Sequence, residues 1–191
     1  MGIFFAIAAI GADVYFYYLY SPIFFYEDTD CYMRALRIID WLQDFQWQEK
    51  IFPYTNAPDG FVLHFTRIND VIWAFFSLPF MPFMPLKEAV YNGGLFFSPL
   101  FFVLAFLSIQ WGLYQFLLPV QNKKAVYFLT MIFILMMLGK MTSVFDFTRP
   151  DHHSLMCAIF AFNVAAVLRC NARMNYKLLL WSGVASGCGL W

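Results

Sequence analysis

From Leu95 to Leu118 the chain has no Asp, Glu, Lys or Arg. A helix of that length exceeds the roughly 20 apolar residues that cross a hydrocarbon core of about 30 Å. Further apolar runs fall at about 3–20, 125–144, 154–168 and 178–191. Only 13% of the chain is charged and 62% is hydrophobic, whereas soluble domains are about a quarter charged. The expected fold class is therefore all-α: a polytopic helical membrane protein whose long first outer loop covers 21–88. The formal net charge is zero, so no basic surface points to a nucleic-acid partner.

The stretch Val71–Leu86 decides the topology. It is apolar but short, and it holds Pro79, Pro82 and Pro85, which remove backbone donors that lipid cannot replace. Read as interfacial or re-entrant, it leaves the polar stretches on either side of it on one face of the membrane. The loops 119–124 and 169–177 carry Lys123, Lys124, Arg169, Arg173 and Lys177 and no acidic residue, which makes them cytoplasmic. Segment 3–20 lacks a basic leader and is expected to stay as an uncleaved span. Its single charge, Asp13, is expected to be protonated or hydrogen-bonded to a neighbour. The four cysteines show no paired metal-ligand spacing.

Two polar knots then face outward. The first, Glu27-Asp28-Thr29-Asp30-Cys31-Tyr32-Met33-Arg34, opens a helix whose Tyr32, Leu36, Ile39 and Leu42 share one face, with Arg34, Arg37 and Asp44 on another. The second is Thr148-Arg149-Pro150-Asp151-His152-His153. Its following helix, if confined to 154–168, is about 22 Å long and would draw these residues into the headgroup zone. Asp28, Asp30, Asp151, His152 and His153 form a set of oxygen and imidazole donors suited to a divalent ion such as Mg²⁺ or Mn²⁺. At a membrane face such an ion serves transfer from a lipid phosphate or pyrophosphate. A plainer reading stands beside this one: Asp28, Thr29 or Asp30 caps a helix, Arg34 pairs with Asp30, and Asp151 caps another helix.

Three strings in this order, Glu27–Arg34, Pro58–Arg67 and Arg149–His153, resemble the N-terminal half of bacterial membrane proteins related to the catalytic subunit of oligosaccharyltransferases. These belong to the GT-C glycosyltransferase fold. The resemblance covers most of the chain from Glu27 onward. It implies an essential aspartate a short step before a tyrosine, which Asp30-Cys31-Tyr32 matches, with Asp28 as a neighbouring contributor. It also implies a metal set to which Asp30, Asp151 and His153 belong. Substrate contacts would fall to Arg34, His64, Arg67 and His152.

The implied activity is inverting transfer of a sugar or oligosaccharide from a polyprenyl-phosphate-linked donor to a protein, lipid or glycan acceptor. The implied setting is the outer face of a bacterial inner membrane, amid membrane lipid. The family's later outer loop and its C-terminal soluble domain have no counterpart in these 191 residues, so the expectation is a fragment of the complete enzyme. The alternatives are a non-catalytic membrane subunit or truncated paralogue, and a cation transporter using Asp13, Asp151 and His153. Asp13 stands alone in its segment, which disfavours the transporter.

Overall fold

The computed structural model describes residues 7–8, 10–11, 15, 26, 28–45, 47, 51–52, 58–62, 67–117, 121–140, 142–172 and 174–190. Asp13, His64 and most of segment 3–20 lie outside the described residues. Among the described residues the architecture is all-α apart from one small ribbon, with helices α1 (Thr29–Asp44), α2 (Arg67–Ser77), α3 (Leu86–Gly94), α4 (Phe97–Phe116), α5 (Lys123–Lys140), α6 (Thr142–Phe145), α7 (His152–Ala172) and α8 (Tyr176–Leu190). The ribbon pairs β1 (Ile51–Phe52) antiparallel to β2 (Phe61–Val62).

Helix α1 starts where Asp28, in extended conformation, accepts a hydrogen bond from the Asp30 amide at 3.1 Å, satisfying one orphan donor of the first turn. It ends where Phe45 turns left-handed and its amide returns to the Trp41 carbonyl at 2.7 Å. The buried face of α1 holds Cys31, Ala35, Ile38 and Ile39, but also Arg34 and Arg37, while Tyr32 is partly exposed. The expected division of this helix into an apolar inner face and a charged outer face is thus only half met. Both arginines turn inward because carboxylates on other elements wait there, and nothing within α1 announces them.

Helices α2 and α3 pack together through Trp73, whose indole donates to the Val90 carbonyl at 2.7 Å. Gly93 makes this contact possible. A Cβ there would fall 2.7 Å from the Ser77 backbone nitrogen and closer still to its hydroxyl, so no larger residue fits. The proline-containing stretch between the two helices is a run of turns. Phe80 of this stretch stacks on Phe96 at 5.9 Å, and Phe83 is largely exposed. Val71–Leu86 is therefore no continuous helix, as its prolines require.

The most extensive helix contact joins α4 to α7, and the two run in parallel. Ser98 meets Ser154 at one end (3.4 Å). Farther along, a Cβ on Gly112 would lie 2.8 Å from the Ala165 Cα. Trp111 stacks on Phe162 and receives the Arg169 guanidinium 4.3 Å from its ring centre. Helix α8 is joined to α7 by Asn163, which accepts from Ser182 (2.6 Å) and donates to Ser186 (2.7 Å).

Among the described residues two helices are long and apolar enough to cross a membrane, Leu86–Tyr114 and His152–Cys170. The first starts before the expected Leu95, because α3 leads into α4 with only a brief turn between them. Helix α7 continues past Arg169 to Ala172, and its 21 residues reach about 32 Å. A helix of this length no longer requires Asp151–His153 to sit in the headgroup zone. The main apolar core, with Ile38, Val90, Phe97, Trp73 and Tyr26 nearly or fully enclosed, links α1, α2, α3 and the α4–α7 pair. This core holds the start of α1 against the start of α7.

Candidate functional site

The turn before α7 is held by its own polar atoms. Asp146 Oδ1 accepts from the Thr148 amide (2.8 Å) and hydroxyl (2.6 Å), and the Arg149 amide donates to the Asp146 carbonyl (3.0 Å). Ser98 on α4 donates its hydroxyl to the Arg149 carbonyl. Pro150 and Thr148 are buried. The local sequence folds this way because aspartate two residues before a hydroxyl favours such a turn, and Pro150 biases the preceding Arg149 away from helical backbone. Asp151 follows as the residue before α7 and accepts from the His152 amide at 2.6 Å. Ser154 closes the turn onto the Asp151 carbonyl at 2.7 Å.

Across this turn lies α1. Arg34 Nη2 stands 3.3 Å from Asp151 Oδ1 and 2.7 Å from His152 Nδ1. Arg149 Nη2 reaches Asp28 Oδ2 at 3.5 Å. Two knots more than a hundred residues apart are thereby brought together. The Cys31 thiol sits beneath them, 1% exposed. Its pKa is pushed up to about 12, first by burial and then by the Asp151 and Asp28 carboxylates, with Arg34 and Arg149 acting the other way. All four charged groups therefore lie within electrostatic reach of one sulfur.

Burial alone would raise the Asp151 carboxyl. The His152 hydrogen bond and the charges of Arg34, His152 and His153 outweigh that and hold it near 2. Asp151 is thus an anion at any physiological pH. His152 Nδ1 lies at hydrogen-bonding distance from Asp151 Oδ1 as well as from Arg34. It can donate to the carboxylate or accept from the guanidinium, but not both at once.

Asp151, His152 and His153 form a group that could hold a metal ion, their donor atoms all within 4.8 Å of one another. Within it, Asp151 Oδ2 and His153 Nε2 are 3.5 Å apart. Two ligands each about 2.1 Å from one ion lie roughly 3–3.5 Å from each other, so this pair fits. His152 fits less well through Nδ1, because the Arg34 cation already occupies that side. Its Nδ1 also contacts the Asp151 carboxylate.

The other expected site residues divide clearly. Asp28 is half-buried and caps α1 while touching Arg149. Asp30 is exposed in the first turn, and among the described residues its carboxylate has no ion-pair partner, so the expected Asp30–Arg34 pair does not form. Arg34 is 3% exposed, too enclosed to receive a substrate, and it serves Asp151 instead. Arg67 is committed to Asp70 Oδ2 (3.1 Å) and the Trp47 carbonyl (3.2 Å).

Three further residues belong to this region. Asp70, 2% exposed, bridges Arg67 and Arg37 (3.2 Å) and so ties α2 to α1. Burial raises its carboxyl to about 6, with Arg37 and Arg67 restraining the rise. The three-residue step from Arg67 to Asp70 on a helix is a local signal of pairing. The second partner, Arg37, carries none. Arg149 lies within a string already marked as polar, and its surface position is visible only in three dimensions. No protein-family model, no curated protein and no solved structure matches this chain.

Proposed function

We propose that the chain acts as a GT-C type membrane glycosyltransferase, moving a sugar from a polyprenyl-phosphate donor to an acceptor at the extracytoplasmic face of a cell membrane. One observation supports this most: the start of α1 and the Asp151–His153 turn, distant in sequence, meet through Arg34–Asp151 and Arg149–Asp28. A membrane protein keeps so many charges together where helices start only with a reason. The ordered resemblance to oligosaccharyltransferase catalytic subunits supplies one.

In this reading Asp151 Oδ2 and His153 Nε2 would hold a divalent ion, for which nitrogen and oxygen donors suit Mn²⁺ at least as well as Mg²⁺. Its chemistry there would be positive charge set against the phosphate leaving group. Asp30, exposed in the first turn of α1, takes the proton of the acceptor as it attacks the anomeric carbon. The bond from that carbon to the phosphate oxygen breaks, and its electron pair leaves with the phosphate.

A second reading has its own observation. Asp28 caps α1, Asp151 receives the first amide of α7 and pairs with Arg34, and two structural caps in a non-catalytic membrane subunit would look the same. Mn²⁺ binding to the full chain in detergent separates the two. Asp151→Asn and His153→Ala are each expected to weaken binding about tenfold or more. Unchanged affinity in both variants, or no binding in the wild type, leaves the capping reading in place.

A further inference from the structure

A groove of about 650 Å³ runs between α4, α6 and α7, a volume within the range of about 300–1,000 Å³ common to small-molecule sites. Its wall on α7 is one stripe, His153, Cys157, Phe160 and Val164, at the spacing that keeps side chains on a single helical face. Ala105 of α4 and Phe145 of α6 contribute to the lining. From His153 to Val164 the stripe covers roughly 16 Å. With C–C bonds of about 1.5 Å, an extended chain of about a dozen carbons spans that distance.

The groove is polar at one end. Apart from the Cys157 thiol, His153 brings the only polar side chain among the described residues that line it, and its Nε2 lies 3.5 Å from Asp151 Oδ2. His153 also stands at the start of His152–Cys170, a helix long and apolar enough to cross a membrane. In such a helix the polar end of the groove lies at the membrane boundary and the apolar remainder among lipid chains. A peptide or sugar placed along this lining would leave its donors and acceptors without partners, at a cost of a few kcal/mol for each. A hydrocarbon chain has none to satisfy, and its one polar end meets the one polar end of the groove.

We propose that this groove holds the hydrocarbon chain of the phosphate-linked donor, running along α7 from His153 toward Val164 with the phosphate beside Asp151 and His153. The proposal rests on the reading of that pair as the place of the phosphate, and it adds where the lipid part of the donor goes. Photolabelling of the full chain in phosphatidylcholine nanodiscs with Mn²⁺ tests it, using octyl and dodecyl phosphates that carry a diazirine at the chain end. Adducts are located by mass spectrometry. The octyl probe is expected to mark Cys157 and Phe160 and the dodecyl probe Val164, each at least tenfold more than Leu129 of α5 or Leu180 of α8, which are exposed away from the groove lining. Val164→Trp fills the far end, so dodecyl labelling of α7 should fall at least fivefold while octyl labelling stays. Cys157→Trp narrows the groove nearer its mouth and should reduce both.

Labelling spread evenly over Leu129, Leu180 and the α7 stripe overturns the proposal, as does a depth of labelling that is the same for both probes. A diazirine phosphatidylcholine that marks the groove as strongly as dodecyl phosphate makes bulk lipid the occupant and also overturns it. If Cys157→Trp fails to fold, Val164→Trp and the depth pattern in the wild type decide. Withdrawal of Mn²⁺ separates this proposal from the reading beneath it. Groove labelling that falls without the ion upholds both, and labelling that persists upholds the place of the chain while counting against a metal-held phosphate. Absent groove labelling in a wild type that still binds Mn²⁺ overturns the groove proposal alone.

Discussion

Replacing Arg34 by Met removes the guanidinium that stands 3.3 Å from Asp151 Oδ1 while keeping most of the apolar stem. The partners of Asp151 hold its carboxyl from 3.8 down to about 2 against the upward push of burial, which corresponds to roughly 2 kcal/mol of net stabilisation. Without Arg34 the carboxylate keeps its desolvation cost and loses a principal cation. Breaking one side of a buried pair costs about 3–5 kcal/mol, and because His152 and His153 remain, the expected loss is toward the lower end, about 3 kcal/mol. Asp151→Asn alone should cost a similar amount by stranding Arg34. The double variant should fall short of the summed losses by at least about 1.5 kcal/mol, because the two side chains share one interaction.

The assay is a double-mutant cycle on thermal unfolding at pH 7, followed by tryptophan fluorescence in detergent. The sign of the pH dependence follows from the depressed carboxyl. The contribution is complete above the ordinary value near 4 and is lost as pH falls toward 2. Losses that simply add, with coupling below about 0.5 kcal/mol, would refute the bridge between α1 and α7.

Asp70 should behave in the opposite sense. With its carboxyl raised to about 6, the fold gains on the order of 2–3 kcal/mol from this group as pH falls from 7 to 4 and loses it again on the return; in Asp70→Asn the slope of unfolding temperature against pH over this range should flatten. Gly112→Leu should separate α4 from α7, since even a Cβ meets the Ala165 backbone at 2.8 Å. A drop of several degrees in unfolding temperature is expected, and a melting curve unchanged from wild type counts against the parallel packing. Asn163→Leu removes both hydroxyl contacts to α8, at about 1 kcal/mol. Cysteine crosslinking between positions on α7 and α8 should slow, and an unaffected rate would mean the two helices are held by other contacts.

How much of this was legible beforehand differs by element. The helical class was plain from the uncharged run at Leu95–Leu118, since a backbone in an apolar setting must bond to itself. The break near Val71–Leu86 was equally plain from its prolines, and so was a cap among Asp28, Thr29 and Asp30, of which the structure assigns Asp28. That Asp151 and His153 share a neighbourhood follows from their closeness in the chain. These are all local facts, carried by side-chain shape and backbone donors within a few residues.

What the tertiary structure alone decided is who pairs with whom. Arg34 and Arg37 read as the wet face of an amphipathic helix, yet they are buried, because Asp151 and Asp70 arrive from other elements to offset the cost of enclosing two cations. Arg67 read as a substrate contact and is held by Asp70 and a backbone carbonyl. Arg149 stays at the surface while its neighbours Thr148, Pro150 and Asp151 are buried. A charged side chain takes its role from the desolvation and the partner it meets in space, and neither of these is a property of its position along the chain.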